Sequence, residues 1–189
     1  IFIRSISSIK LIRNSCMRII YISNSRVPTE KAYGISIAKT CESLAVHGAE
    51  VLLLVPKVRN LSGNDVFSYY DVKKFFSVRH IPALDAVRRG WRYGFVVNQI
   101  SFGVAVFFLY LLKKRNFIVL TRDEVSGFLL ALAGIPVYYD MHGFPERFLW
   151  LWKILLRPLS GIITTNEWKV EQCHKNLGIL KEKMIVARN

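Results

Sequence analysis

Short apolar runs and segments of helical periodicity alternate along the chain from Met17 onwards. Arg18–Ile22 and Val51–Val55 are apolar runs of the length and composition of buried strands. Between them, Gly34–His47 has apolar residues mostly at helical spacing, and Gly48 follows as a stop signal. A strand–helix–strand unit of this kind predicts two parallel strands joined by a right-handed crossover.

The same alternation resumes in the second half of the chain. The further predicted strands are Phe75–Ile81, Phe117–Leu120, Pro136–Tyr139, Gly161–Thr165 and Lys183–Ala187. The further predicted helices are Phe95–Leu112, Glu124–Ala133, Pro145–Leu156 and Glu167–Leu177. Repeated βα units predict an α/β fold: one Rossmann-like domain over residues 17–189, with a doubly wound, mostly parallel sheet. Residues 1–16 show no amphipathic pattern, so we expect a disordered or non-native N-terminal extension before Met17.

The chain is strongly basic, with 27 Lys and Arg against 13 Asp and Glu and a formal net charge of +14. The excess of positive charge is concentrated between Lys73 and Arg115. It favours one of two interpretations: a solvated protein surface with a cationic bias, or a surface that is attracted to an anionic membrane. We expect no nucleic-acid partner, because no nucleic-acid-binding motif accompanies the charge. Three widely spaced cysteines fit a reducing compartment. The predicted location is cytoplasmic, with peripheral attachment to the inner face of the plasma membrane as an open alternative.

One predicted helix is apolar enough to raise the question of a membrane span. Tyr93–Leu112 would be about 30 Å long, the thickness of a bilayer core. It contains Asn98, Gln99 and Ser101 within one turn, and it lies between strands of what reads as one sheet. We therefore predict a core helix, with an interfacial helix and a true span as alternatives.

Ligands of open parallel sheets bind beyond the carboxyl ends of the strands, which singles out four loops. The first is Ser23–Gly34, where Gly34 is predicted to open a helix whose free N–H groups attract an anion. An ordinary βα loop is the alternative. The sequence has neither the GxGxxG fingerprint nor the GxxxxGK[ST] phosphate loop.

The other three loops follow later strands. Arg122 suits a phosphate or carboxylate, and Asp123 fits a binding role and a helix-capping role equally well. His142 lies in a loop with Gly and Pro, where an imidazole could hydrogen-bond a sugar hydroxyl or contact a charged intermediate. Asn166 is predicted to cap the last helix. We expect no metal site, because no cluster of metal-ligand residues stands out.

Three segments together resemble the N-terminal domain of GT-B glycosyltransferases of the family 4 type. The first runs from Met17 to Pro56 and contains LAVHGAEV at Leu44–Val51, which is similar to the LA..GHEV pattern of that family. The second is TRDEVSGFLLALAGIPVYYDMHGFPE, in which His142 falls on the family histidine and Asp140 replaces the more usual Glu. The third is GIITTNEWKVEQCHKNLGILKEKMIVARN, similar to the end of that domain.

The resemblance implies an acceptor-side domain that faces a donor-binding domain across a cleft. It implies transfer of a sugar from a nucleotide-sugar to a glycan or lipid-linked acceptor, as in cell-envelope polysaccharide synthesis, with retention of configuration. No metal is implied, and no cofactor beyond the nucleotide-sugar co-substrate. His142 is the implied catalytic residue. The implied substrate-binding residues are Lys31, Tyr33, Gly34, Arg122, Asp123 and Glu146.

The paired glutamates and nucleotide site of that family belong to its second domain, which these 189 residues do not include. We therefore expect the chain alone to be inactive, with the donor site in a missing C-terminal domain or a separate donor subunit. Two other interpretations stay open. One is a non-catalytic Rossmann-like subunit that binds a membrane or a partner, and the other is a different enzyme with the same sheet, such as a sugar-nucleotide epimerase.

Overall fold

The computed structural model describes residues 17–57, 65–86, 90–111 and 116–187 of the chain. The predicted N-terminal extension at 1–16 lies outside these residues. So do several basic positions of the middle segment, at 88–89 and 113–115.

Seven strands form a single sheet in the described part of the chain. They are β1 (Arg18–Ile22), β2 (Glu50–Lys57), β3 (Ser77–Pro82), β4 (Ile118–Thr121), β5 (Val137–Met141), β6 (Gly161–Thr164) and β7 (Met184–Val186). Their order is β3-β2-β1-β4-β5-β6-β7, and all six pairings are parallel. The predicted α/β fold class is confirmed. The order reverses direction between β1 and β4, which is the topological switch point of such a sheet.

Helices cover the two faces of the sheet unequally. The helices are α1 (Ala32–Val46), α2 (Val66–Tyr70), α3 (Gly94–Leu111), α4 (Glu124–Leu132), α5 (Leu149–Leu156) and α6 (Glu167–Leu177), with a short 3₁₀ turn at Lys181–Lys183. Helices α1 and α2 pack on one face, where Ile37, Cys41 and Tyr70 join the buried core. Helices α3 to α6 pack on the other, where Phe102 and Leu130 are buried. Right-handed crossovers place the helices on opposite faces because the strand order runs in opposite directions from β1.

Several predicted boundaries were wrong, mostly at prolines. Pro56 was predicted to end its strand but lies inside β2, whereas β3 does end at Pro82, which is its last residue. Pro56 comes after Leu54, the last residue of β2 paired with β1, and Pro82 ends an edge strand. A proline is tolerated at such places because no ladder bond to its nitrogen is lost.

Other boundaries moved because of local backbone conformation. Helix α5 begins at Leu149 instead of Pro145, and Phe148 before it has a left-handed backbone with φ of 55°. Helix α1 begins at Ala32, so the prediction that Gly34 opens it was wrong. The short helix α2 was not predicted at all. With five residues, VFSYY, it is too short for a helical period to show in the sequence.

Helix α3 is only partly a core helix. By length and composition it could cross a membrane, and 28% of it is buried in the protein. One side packs against β3 and α4, while the other is exposed. The core-helix prediction therefore holds for one side alone.

Candidate functional site

Polar side chains from β1, β4 and β5 meet at the carboxyl edge of the sheet. Successive residues of a strand point to opposite faces, so Asp140 and His142 lie on the same face of the sheet. Arg122 follows β4 and Tyr21 comes from β1, the two strands at the switch point. All four side chains lie on the face that carries α1. The fold therefore brings together Arg122 and His142, which were predicted from different loops.

Asp140 is the centre of this cluster. Its Oδ2 accepts a hydrogen bond of 2.8 Å from the Tyr21 hydroxyl and one of 2.7 Å from Nε of Arg122. Nε2 of His142 lies 3.3 Å from the same oxygen. Burial by itself would raise the pKa of Asp140, but the contacts with His142 and the Arg122 guanidinium outweigh it and lower the pKa from 3.8 to about 2. Asp140 is therefore an anion at neutral pH.

Arg122 connects the cluster to helix α1. Its Nη2 donates to Oγ of Ser36 at 3.1 Å and also contacts Nε2 of His142. Both Arg122 and Asp140 are 12% exposed at the side chain, whereas His142 is 40% exposed. Arg122 and Asp140 are thus fixed and mostly buried, and the more accessible imidazole of His142 packs against them.

The proton on His142 decides which of its two contacts is a hydrogen bond. With a proton on Nε2, the ring donates to Asp140. Without it, the same nitrogen accepts from Arg122. In the second state the hydrogen is on Nδ1, whereas the contacts with Asp140 and Arg122 both involve Nε2. Nδ1 is then the donor that the imidazole offers to a ligand hydroxyl.

Lys169 holds the backbone of the His142 loop. This lysine lies on α6 and is buried, and its Nζ donates to the His142 carbonyl oxygen at 2.5 Å and to Oγ1 of Thr165 at 2.7 Å. Asn166 caps the same helix by accepting a 3.0 Å hydrogen bond from the Lys169 backbone N–H, as predicted. Lys169 is a positioning residue, because its ammonium group bonds the backbone of the loop that carries His142.

We expect Lys169→Met to lower the free energy of unfolding by about 1–3 kcal/mol, because it leaves a part-buried carbonyl and a part-buried hydroxyl without their donor. Urea unfolding measures the loss, and amide hydrogen exchange at His142 and Gly143 should become faster. Lys175→Met, on an exposed position of the same helix, is the matched control and should change stability little. Equal effects of the two substitutions on stability would contradict the positioning role of Lys169.

A groove of about 450 Å³ opens beside the cluster, within the usual range for ligand sites. One wall is the polar side of α1, with Lys39 and Thr40. The other is the sheet surface, with Asp140, His142 and Thr165. Hydroxyl groups, a cation and an imidazole around an apolar floor of Leu, Ile and Ala match a ligand that presents several hydroxyl groups.

The structure places two further predicted substrate-binding residues, Asp123 and Glu146, in different surroundings. Asp123 is buried, and its carboxylate accepts a 2.8 Å hydrogen bond from the Ser126 N–H at the start of α4. Burial raises its pKa to about 7. Of the two roles left open for Asp123, the structure shows the capping role. Glu146 is exposed, four residues after His142.

The predicted anion site at Gly34 has a different structural basis. The Gly34 N–H already donates to the Lys31 carbonyl at 3.0 Å. A Cβ at Gly34 would lie 2.0 Å from the Tyr70 hydroxyl oxygen, so the position has room only for glycine. Lys31 and Tyr33 are exposed at the start of α1, on the same edge of the sheet as His142. Their binding roles stay predictions.

Sequence reasoning missed three members of the cluster: Tyr21, Ser36 and Lys169. Lys169 carried a usable signal, because it takes the place of an apolar residue on the buried stripe of α6 that continues with Cys173 and Leu177. Tyr21 gave a weaker one, a single hydroxyl in the apolar run RIIYI. Ser36 gave none, since serine is common on the exposed side of helices.

Solved structures with similar folds include sugar-transferring enzymes. A glycosyltransferase from Rickettsia africae matches 93% of this chain at 13% identity, with a TM-score of 0.57. UGT73P12 of Glycyrrhiza uralensis, complexed with glycyrrhetinic acid 3-O-monoglucuronide, matches 91% at 13% identity and a TM-score of 0.52. UGT2 of Phytolacca americana, complexed with UDP-2fluoro-glucose and pterostilbene, matches 84% at 13% identity and a TM-score of 0.51. No protein-family model and no curated protein matches the chain.

The matched region is about half of each neighbour. This chain spans 44%, 48% and 50% of their lengths, respectively. At 13% identity the likeness concerns the fold. The seven-stranded sheet with helices on both faces has the Rossmann-like fold of one half of a GT-B glycosyltransferase.

Proposed function

We propose that this chain is the acceptor-side domain of a glycosyltransferase that moves a sugar from a nucleotide-sugar to a glycan or lipid-linked acceptor. The observation that carries the proposal is the Arg122–Asp140–His142 cluster at the carboxyl edge of the sheet, open to a groove lined with hydroxyl groups. The fold of half a GT-B enzyme supports the same conclusion. That neighbours of this fold hold a sugar nucleotide or a glycoside gives further support.

In this proposal His142 hydrogen-bonds a hydroxyl of the acceptor or of the transferred sugar. Arg122 and Asp140 both contact Nε2 of His142 and so fix the position of the ring. The exposed Lys31, Tyr33 and Glu146 are the remaining candidates for acceptor contact at the rim. Retention of configuration, independence from metal ions and the family 4 relationship rest on the sequence resemblance alone.

The donor site belongs, in this proposal, to a second domain or a separate donor subunit. Support comes from the length of the neighbours, which are about twice as long as this chain. The alternative function is a non-catalytic subunit that uses the same groove only to bind a partner. The two differ in whether the groove recognises a saccharide.

We expect saturation-transfer NMR with a panel of mono- and disaccharides to show weak binding to the 189-residue chain. His142→Ala should weaken it by about three- to tenfold, the effect of losing one hydrogen bond to a ligand hydroxyl. His47→Ala is the matched control, because His47 is an exposed histidine at the far end of α1. Chemical shifts should change at Thr40 and Thr165, on opposite walls of the groove.

Two outcomes would overturn the proposal. In one, saccharides bind away from the groove or bind equally well to the His142→Ala and His47→Ala variants. In the other, the 189-residue chain by itself turns over a panel of UDP- and GDP-sugars, which would contradict the assignment of the donor site to another domain.

A further inference from the structure

The outer side of helix α3 is apolar along most of its length. Exposed hydrophobic residues recur there every four positions: Val96, Ile100, Val104 and Phe108. Residues spaced by four lie on one side of a helix, so these four form a stripe about 18 Å long. The opposite side, with Phe102 and Val106, is buried against the protein. Helix α3 therefore has hydrophobic residues on both its inner and its outer side.

The polar residues of α3 are used within the protein. Asn98 and Ser101 accept hydrogen bonds from backbone N–H groups of the preceding loop, at 2.7 and 3.1 Å. Gln99 donates to Glu124 of α4 at 2.5 Å. A helix on a water-facing surface normally has its polar residues on the outer side. The arrangement in α3 is the reverse, which indicates that water is not the usual neighbour of the outer stripe.

Exposed aromatic residues extend this surface to the edge of the sheet that carries the site. A helix that follows a parallel strand begins near the carboxyl edge of the sheet, so the starts of α3 and α5 lie on the same edge as His142. Trp91 and Tyr93 precede α3, and Phe148 and Trp150 are at the start of α5, all exposed. Trp and Tyr favour the boundary between water and lipid, because each has an apolar ring and a polar atom.

The charges of this layer select an anionic surface. Helices α3, α4 and α5 contain one carboxylate, Glu124, which is bonded to Gln99 and Tyr139. In the described residues of α5, its C-cap and the loops before α3 and α5, four exposed cations, Arg92, Arg147, Lys153 and Arg157, outnumber the one exposed carboxylate, Glu146. A second copy of this chain would bring like charges together, in a protein with a net charge of +14. Anionic lipid headgroups would instead attract each of these cations.

We propose that the outer stripe of α3, together with the aromatic residues at the starts of α3 and α5, docks on the surface of an anionic lipid bilayer. Helix α3 lies in the plane of the interface and does not cross it, since β3 before it and β4 after it belong to one sheet. The docked surface adjoins the edge with the Arg122–Asp140–His142 cluster. Membrane docking rests on the proposed function for the identity of the acceptor. With the docked surface beside the site, the acceptor is a lipid-linked saccharide that the domain reaches at the membrane surface.

The test is co-flotation of the 189-residue chain with phosphatidylcholine vesicles, with and without phosphatidylglycerol. We expect binding to the vesicles that contain phosphatidylglycerol. Ile100→Ser combined with Phe108→Ser should lower the partition coefficient by about tenfold or more, because two apolar side chains no longer enter the interface. Val46→Ser combined with Leu180→Ser is the matched control at exposed positions outside the docked surface, and should stay within about twofold of the parent.

Three outcomes would overturn the membrane proposal. The parent chain does not float with either vesicle. The Ile100→Ser/Phe108→Ser variant, folded by circular dichroism, floats as well as the parent. Or light scattering shows a dimer that the same variant dissociates, which would assign the stripe to a second copy. The assay contains neither sugar donor nor acceptor, so its failure would leave the saccharide-binding proposal standing, and the reverse also holds.

Discussion

Gly34→Ala is expected to lower the free energy of unfolding by about 3 kcal/mol, although Gly34 is in a helix, where alanine is ordinarily the better residue. The new Cβ would lie 2.0 Å from the Tyr70 hydroxyl oxygen and 2.7 Å from Cγ2 of Thr29. That hydroxyl donates to the Thr29 carbonyl at 2.9 Å and accepts from the Thr29 N–H at 2.6 Å. Moving the ring breaks both hydrogen bonds, at about 1 kcal/mol each, in addition to the cost of overpacking.

Urea denaturation measures this effect, and two further variants establish its cause. Gly143→Ala is the matched control, because nothing lies within 4 Å of a Cβ at that position. Tyr70→Phe removes the nearest clashing atom, so it should cost less in the Gly34→Ala background than in the parent chain. A loss of stability that is the same for Gly34→Ala and Gly143→Ala, or strictly additive with Tyr70→Phe, would contradict the steric explanation.

Asp140→Asn is expected to cost about 2 kcal/mol and to change the response of the protein to acid. A carboxyl whose pKa falls from 3.8 to about 2 on folding stabilises the folded state by that amount when it is ionised. Because the folded pKa is the lower one, this stability is complete above about pH 4 and is lost as the pH falls towards 2. The amide that replaces the carboxyl group cannot ionise, and Arg122 keeps its charge without a partner at 12% exposure.

The measurement is the free energy of unfolding between about pH 2 and pH 7. The parent chain should lose stability between about pH 4 and pH 2, and that part of the loss should be absent in Asp140→Asn. Asp65→Asn makes the same chemical change at an exposed carboxylate and should cost less than about 1 kcal/mol. If Asp140→Asn is as stable as the parent at neutral pH and follows the same acid curve, the buried anion is not what holds Arg122 and His142.

The candidate site and the proposed membrane-docking surface can be changed independently of each other. The Arg122–Asp140–His142 cluster is on the face with α1, whereas the apolar stripe is on α3, on the opposite face. Substitutions at Ile100 and Phe108 should therefore leave saccharide binding at the groove unchanged, while Asp140→Asn should weaken it without reducing vesicle binding. A lipid-linked acceptor would need both surfaces, since its lipid and its saccharide are parts of one molecule.

The alternation of strands and helices was determined by the sequence. Every predicted strand from Arg18–Ile22 to the end of the chain exists. The central strands were the clearest, because parallel strands buried on both faces need continuous apolar runs such as RIIYI and VLLL. The cap at Asn166 and the bounds of the last helix, Glu167–Leu177, were also predicted correctly, since both depend on bonds within a few residues. His142 and Arg122 could be chosen because strand ends are visible in the same pattern.

Tertiary structure decided which polar groups meet. Asp140 reads from the sequence as a variant of a family Glu, and only the packing of β5 between β4 and β6 places it against Arg122 and the Tyr21 hydroxyl. The same holds for Gly34, whose requirement for glycine comes from Tyr70, 36 residues away along the chain. Local periodicity reports which side of an element is apolar. The identity of the groups that face one another across elements depends on strand order and register, which no local pattern contains.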